Sequence, residues 1–143
     1  MNEWITVARA EKLAPDERRV IDVDEAHTFS VDLTNANTVL KVAKQIKETL
    51  GTPDIIVNNA GAGKWRFVDE TSPAEAVEMM ALPYFAMFNV THAFLADMLK
   101  RNSGHIVNIS SVASRFVWPG ATRLYCCALG CARLYPGFAR RFR

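Results

Sequence analysis

Acidic residues are missing from the last third of this sequence. The final acid is Asp97, so residues 98–143 carry eight Lys and Arg residues and no carboxylate, whereas residues 1–97 hold all 15 acids and nine basic residues. A basic end of this kind can bind nucleic acid, but its arginines follow no recognised motif and no regular helical face. We therefore expect no nucleic-acid partner.

The sequence also lacks long hydrophobic runs, and it has no cysteine outside one short window near its end. Half of the residues are hydrophobic, but no window approaches the continuous apolar length of a membrane span, and no basic-then-apolar signal opens the chain. We therefore expect a cytoplasmic protein without a membrane span. The 3 cysteines lie at positions 126, 127 and 131 with no histidine at zinc-binding spacing, which predicts free thiols and no metal site.

Strand and helix patterns alternate along the middle of the chain. Segments 28–33, 54–58 and 104–110 predict strands, the last two buried on both faces of a sheet. Apolar residues at helical spacing predict a helix that Gly51 ends, and the capping box S-P-A-E (72–75) predicts a second helix to about residue 100, kinked at Pro83. The order predicts an α/β fold, an incomplete doubly wound parallel sheet of the Rossmann type flanked by helices.

The ends of the chain fit this pattern less well. A length of 143 residues allows one domain or part of one. We divide the chain into a poorly defined segment over 1–26 (with strand-like stretches at 4–7 and 20–23), a partial Rossmann-type domain over 27–122, and an atypical basic, cysteine-containing tail over 123–143.

Each predicted strand is followed by polar or small residues. Asp32 ends the first strand, N-N-A-G (58–61) ends the second, and Ser110 and Ser111 end the third. One at a time, such residues are usually strand-end caps and turn formers. Ligands of doubly wound sheets bind beyond the carboxyl ends of the strands, so the joint arrangement predicts a binding site there.

Six motifs make the sequence similar to the short-chain dehydrogenase/reductase family: V-D-L-T (31–34), N-N-A-G (58–61), T-S-P-A-E (71–75), F-N-V-T-H-A-F (88–94), G-H-I-V-N-I-S-S-V-A-S (104–114) and W-P-G-A-T (118–122). The resemblance implies an oxidoreductase that uses NAD or NADP and transfers hydride between nicotinamide and an alcohol or carbonyl substrate. It implies that Asp32 contacts the adenine and that Ser111 bonds the substrate oxygen. The implied cofactor-lining residues are Asn58, Asn59, Ala60 and Gly61. Self-association through the helix over 73–100 is implied too.

Two family features are not found where the resemblance expects them. Residues 1–31 contain no glycine, so nothing there matches the T-G-x-x-x-G-x-G motif, whose glycines let the pyrophosphate approach a helix N-terminus. The helix asparagine that holds a proton-relay water in the family aligns with Pro83, which can neither donate from its backbone nor accept with its side chain. Asn89 aligns with a different family position.

The catalytic tyrosine is also out of place. The family has it thirteen residues after the serine, with a lysine or arginine four residues later that lowers its pKa from about 10. Thirteen residues after Ser111 is Leu124, and neither Leu124 nor its neighbour Tyr125 has a basic residue four positions on. Tyr125 therefore stays a candidate catalytic residue without its cation.

Our hypothesis for this departure is a change of reading frame after the Thr122 codon, caused by a single-nucleotide insertion, a splicing error or a sequencing error. Back-translation from Arg123 onward, read one nucleotide later, permits a family-like continuation with tyrosine and arginine at the expected positions. We therefore expect a frameshifted tail after Thr122 and a chain that is inactive or strongly impaired. The alternative is a non-catalytic fragment that pairs with full-length relatives.

Overall fold

The computed structural model describes residues 27–61 and 66–116, and the backbone of a strand over residues 3–7. The elements, in chain order, are β1 Glu3–Val7, β2 His27–Val31, α1 Ala36–Leu50, β3 Ile55–Asn58, α2 Pro73–Met80, a π-helical segment Ala81–Ala86, α3 Met87–Arg101, β4 His105–Asn108 and a 3-10 turn Val112–Ser114. The alternation of strand and helix that the sequence predicts is confirmed.

The strands form two separate ladders. β3 and β4 pair in parallel, with Asn58 opposite Asn108 at their carboxyl ends, whereas β2 pairs with β1 in the antiparallel sense. No ladder joins β2 to β3 in the part of the chain that the structure describes. The β3–β4 ladder agrees with the parallel sheet that the sequence predicts, whereas the antiparallel β1–β2 ladder departs from it.

The core lies between the sheet and the two long helices. α1 follows β2, α3 precedes β4, and the two helices pack against each other. Right-handed crossovers that move the same way across a sheet place their helices on the same face. The buried side chains include Val39 and Ile46 of α1, Phe94 and Met98 of α3, and Ile56 of β3.

Burial of β3 and β4 on both faces was a wrong prediction. Ile56 is buried, but its neighbours Ile55 and Val57 are 42% and 57% exposed, and Val107 of β4 is 42% exposed. The covered face packs on the helices, and no described helix covers the other. A short apolar run cannot reveal whether a second layer is present.

The ends of α1 follow from its sequence. Asn35 is the N-cap, and its side chain accepts hydrogen bonds from the backbone N–H groups of Asn37 and Thr38. At the other end Gly51 has φ of +85°, which favours a residue without Cβ. Its N–H bonds the carbonyl of Lys47, and the predicted helix end is confirmed.

The long helical stretch starts at the predicted capping box. The Ser72 side chain accepts a hydrogen bond from the backbone N–H of Glu75, and the Glu75 carboxylate accepts one from the backbone N–H of Ser72. The irregularity expected at Pro83 takes the form of the π-helical segment. Proline lacks an N–H and crowds the carbonyl four residues earlier, which a wider turn relieves.

The same stretch, Pro73–Arg101, is long and apolar enough to cross a membrane, judged by length and composition alone. The expectation that no window approaches a membrane span is therefore not confirmed. Core packing accounts for part of this apolar character, because Met87, Val90, Phe94 and Met98 of α3 are buried in the fold.

Several sequence-based predictions fall outside the described residues. They are the strand-like stretch at 20–23, most of the segment 1–26, the tail 123–143 and the candidate Tyr125.

Candidate cofactor-binding edge

Asp32 lies directly after β2 in a tightly bonded turn. Its Oδ1 accepts hydrogen bonds from the hydroxyl of Thr34 at 2.6 Å and from the backbone N–H of Thr34 at 2.9 Å. These two bonds hold the pKa of the exposed Asp32 carboxyl below its ordinary value, and the bond from the Thr34 hydroxyl has the larger effect. The hydroxyl of Thr38 donates to the backbone carbonyl of Asp32 at 2.8 Å. The turn therefore presents an ionised carboxylate at the end of β2.

The carboxyl ends of β3 and β4 are joined by an amide pair. Asn58 Nδ2 donates to Asn108 Oδ1 at 2.8 Å and to Thr91 Oγ1 of α3 at 3.1 Å. Thr91 is fully buried, and the Nδ2 of Asn108 is buried with no hydrogen-bond partner among the described groups. This network fixes the end of β3 against both β4 and α3.

The residues after Asn58 leave the sheet in an open loop. Asn59 and Gly61 are exposed and Ala60 packs partly against the core. A Cβ added at Gly61 would meet nothing within 4 Å. The segment therefore offers an accessible backbone beyond the strand end, where a flat ligand can approach.

Ser111 follows β4 and caps the short 3-10 turn. Its Oγ accepts a hydrogen bond from the backbone N–H of Ala113 at 3.2 Å, and its carbonyl accepts from Ser114. A serine hydroxyl has one proton to donate and two lone pairs. With one lone pair used by the cap, the exposed Ser111 hydroxyl can still donate its proton to an oxygen of a bound molecule.

α3 brings the two halves of this edge together. Asn89 Nδ2 donates to the backbone carbonyl of Leu33, the residue after Asp32, at 3.0 Å. Thr91, two residues further along α3, holds Asn58. Asp32, the Asn58–Gly61 segment and Ser111 thus all lie at carboxyl ends of strands that α3 links, as the ligand-site prediction requires.

Sequence reasoning missed Asn89, Thr91 and Asn108 as residues of this edge. One signal was present, because β3 and β4 both end in the triplet I-V-N, whose last residue is an amide. Pro83 lies in the π-helical segment, away from regular α-helical bonding. In the described ranges, no group of three or more His, Cys, Asp and Glu side chains could hold a metal ion.

Comparison with known proteins identifies the family of this chain. The sequence pattern of the family described as short chain dehydrogenase matches residues 4–131. The chain belongs to the short-chain dehydrogenase family. The match extends beyond 27–122 at both ends, and it includes Tyr125.

Individual relatives are moderately similar. Dehydrogenase RED3 of Cochliobolus heterostrophus is 27% identical over 124 residues, which cover 87% of this chain and 63% of the relative. Estradiol 17-beta-dehydrogenase 11 of Mus musculus is 36% identical over 95 residues, which cover 66% of this chain and 32% of the relative. The chain therefore spans between about a third and under two thirds of the length of these family members.

Solved structures of short-chain dehydrogenases share the fold. A short-chain dehydrogenase from Streptomyces avermitilis matches with a TM-score of 0.74 and 29% identity, covering 78% of this chain and 42% of the other. A gluconate 5-dehydrogenase from Burkholderia cenocepacia, solved with NADP and tartrate, matches with a TM-score of 0.73 and 26% identity, covering 78% and 45%. The Rossmann-type fold class inferred from the sequence is confirmed.

Proposed function

We propose that this chain binds a nicotinamide dinucleotide, NAD or NADP, along the edge formed by Asp32, the Asn58–Gly61 segment and Ser111. The observation that carries the proposal is that α3 links the ends of β2, β3 and β4 at one edge. The gluconate 5-dehydrogenase and a metagenomic short-chain oxidoreductase similar to this chain were solved with NADP.

The described residues suit such a ligand in three places. Asp32 has a carboxylate that can accept from the adenine amino group, with Oδ1 already oriented by Thr34. The open space at Gly61 suits a flat ring against the backbone. The Ser111 hydroxyl keeps a proton for a substrate oxygen. Residues 1–31 have no glycine to form a pyrophosphate cradle, so we expect weak affinity.

Bound nicotinamide would supply hydride exchange with an alcohol or carbonyl carbon. The protein's part is to orient the oxygen through Ser111 and to move a proton to or from it. Tyr125 would have to move that proton, but it has no lysine or arginine four residues later to lower its pKa. Pro83 also replaces the asparagine of the relay. We therefore propose that the chain as written is inactive or strongly impaired.

The direct test is titration of the purified chain with NADPH, followed by quenching of intrinsic tryptophan fluorescence. Saturation at micromolar concentration supports cofactor binding. Gly61→Ala should leave the midpoint of thermal unfolding unchanged, because its Cβ meets no protein atom, and should weaken NADPH binding. Equal NADPH affinity in the wild type and in Gly61→Ala would contradict the assigned site.

Activity is tested separately. We expect no NADPH-dependent carbonyl reduction above background. Measurable reduction that Tyr125→Phe abolishes would overturn the proposed loss of catalysis and would assign Tyr125 as the proton donor.

A second candidate function is association with full-length relatives or with another copy through the helix over 73–100. The observation that favours it is a set of exposed apolar side chains on that helix. Val77 is 69% exposed, Phe85 45% and Phe88 42%. The Phe88 ring also stacks on His92, with the ring centroids 5.9 Å apart. Co-purification of a tagged full-length family member, lost on Phe85→Ser with Phe88→Ser, would support association.

We also propose a change of reading frame after Thr122 and a cytoplasmic location for this protein. Re-sequencing the genomic locus tests the first. An intact frame encoding R-L-Y-C-C-A-L-G would exclude the frame change and would make the absent cation a genuine feature of the chain.

A further inference from the structure

Asn89 makes a polar contact that the sequence did not predict. It lies near the start of α3, half-buried, and its Nδ2 donates to the backbone carbonyl of Leu33 across 56 residues of sequence. Leu33 is 4% exposed, so this contact is made at the margin of the core. The bonded carbonyl belongs to the residue directly after Asp32.

This contact lies where the backbone ladder offers no help. Adjacent strands of a sheet hold each other's ends through the ladder, but the described part of the chain has no ladder between β2 and β3. The end of β2 must therefore be held relative to β3 by helix packing and side chains. α1 packs on α3. The described polar contacts that join β2 and α1 to the β3–β4 part of the fold are made with residues of α3.

Two of these links lie at opposite edges of the sheet. Lys47, in the last turn of α1, pairs with Asp97 at 2.9 Å, near the edge where β3 and β4 begin. Asn89 precedes Asp97 by eight residues, about 12 Å along a helix, and bonds the edge where the strands end. Because Thr91 holds Asn58 on the same part of α3, the start of α3 contacts both halves of the edge.

We propose that Asn89 is a positioning residue that sets the distance between the Asp32 end and the Asn58–Ser111 end of the cofactor edge. The consequence for ligands rests on the proposed function. A dinucleotide must reach both ends at once, whereas an adenine mononucleotide needs only the Asp32 end. Asn89 therefore affects binding of the whole dinucleotide more than binding of its adenosine half.

The test uses Asn89→Leu, which keeps the size of the side chain and removes the donor. Ala96→Leu, at an exposed position of the same helix, is the control. A net loss of one hydrogen bond corresponds to a roughly threefold to tenfold weaker affinity for NADPH. Affinity for AMP should change by less than about twofold, as one neutral bond remote from the ligand contributes little. Equal losses for NADPH and AMP would overturn the role in spacing.

Hydrogen exchange supplies a readout without any cofactor. Asn89→Leu should speed exchange over residues 31–35 more than over residues 40–50, while Ala96→Leu should leave both unchanged. Unaltered exchange over 31–35 overturns the proposal. If the wild type binds no NADPH, the proposed function fails. The hydrogen-exchange result alone then supports or overturns the positioning role of Asn89.

A measurement on the wild type covers the case in which Asn89→Leu does not fold. The side-chain amide protons of Asn89 should exchange with solvent more slowly than those of the exposed Asn102. Equally fast exchange would show that the bond to Leu33 is not maintained, and would overturn the proposal.

Discussion

At the scale of single residues, the pair Lys47–Asp97 shows how one contact holds two helices. Lys47 Nζ bonds Asp97 at 2.9 Å and the carbonyl of Ala93 at 3.4 Å, and it lies 5.9 Å from the centre of the Phe94 ring. The hydrogen bond from Lys47 and then its charge hold the pKa of Asp97 below the ordinary value of 3.8. Both side chains are 32% exposed, so solvent screens the pair only in part.

We expect Lys47→Met to lower stability in a pH-dependent way. Because the folded-state pKa of Asp97 is depressed, the contribution of the pair is present above pH 3.8 and is lost as the pH falls through the lower folded value. The difference in unfolding free energy between wild type and Lys47→Met should therefore shrink in acid. Urea unfolding at pH 7 and at pH 2 measures it.

The matched control for that experiment is Lys44→Met. Lys44 and Glu48 form an exposed pair at 3.8 Å on the same helix, and such surface pairs contribute about 0–1 kcal/mol. If Lys44→Met costs as much as Lys47→Met, the link between α1 and α3 is not what stabilises the fold.

At the scale of elements, the end of α3 is a place where one residue decides the local conformation. Asn102 has φ of 52° and ψ of 35°, the left-handed conformation that ends many helices. Its N–H bonds the carbonyl of Leu99, and the chain then turns towards β4. Arg101 reinforces this turn by donating to the carbonyls of Thr52 and Pro53.

Asn102→Gly should raise stability and Asn102→Ala should lower it. Glycine adopts positive φ without a steric penalty, whereas alanine is disfavoured there by about 1 kcal/mol. Thermal unfolding of the three proteins checks the order. The order Ala above Asn would mean that the left-handed turn is not populated in solution.

Local helix preference alone does not decide which residues of the long helical stretch are buried. α2 buries none of its residues, whereas α3 buries six, and the π-helical segment at Pro83 separates them. A π-helical turn holds more residues than an α-helical turn, so it rotates the side chains that follow it about the helix axis. Which side of α3 faces the sheet, and hence where Asn89 and Thr91 point, is therefore set by that segment together with packing.

At the scale of the whole molecule, the described helices cover the sheet of β3 and β4 on one face only. Ile55, Val57 and Val107 lie on the exposed face, with Ile109 just beyond β4 52% exposed. Exposed apolar sheet surface and unpaired strand edges promote association between chains. We expect the isolated chain to bind a hydrophobic dye and to associate as its concentration rises.

Val57→Thr combined with Val107→Thr should reduce dye binding and association. The two residues are opposite each other in the β3–β4 ladder, and threonine keeps the branched shape that strands favour. Stability should change by no more than about 0.5 kcal/mol, as for other exposed positions. Sedimentation velocity and urea unfolding measure the two effects.

Ile56→Ala is the control on the covered face. Ile56 is 6% exposed, so its truncation should cost about 2–5 kcal/mol without reducing association. If the double threonine variant lost as much stability as Ile56→Ala, the face that carries Val57 and Val107 would be covered in solution.

Much of this architecture could be predicted from local patterns. The helix ended by Gly51 and the capping box of Ser72 and Glu75 were both located correctly, because caps act within four residues of sequence. The positions of Asp32, Asn58 and Ser111 at the ends of their strands followed from strand boundaries. The one-sided burial of β3 did not follow, since a four-residue apolar run reads the same with one covering layer or two.

The sequence by itself determined which residues form the strands and helices, their caps, and the family to which their motifs belong. These properties depend on backbone propensity and side-chain spacing over a few residues. Only the tertiary structure decided that, within the described residues, β2 has no ladder to β3 and one face of the β3–β4 sheet is open, and that Asn89 and Thr91 connect the two halves of the edge. Those features depend on contacts between residues more than 30 positions apart, whose geometry is set by how the helices pack and not by any local pattern.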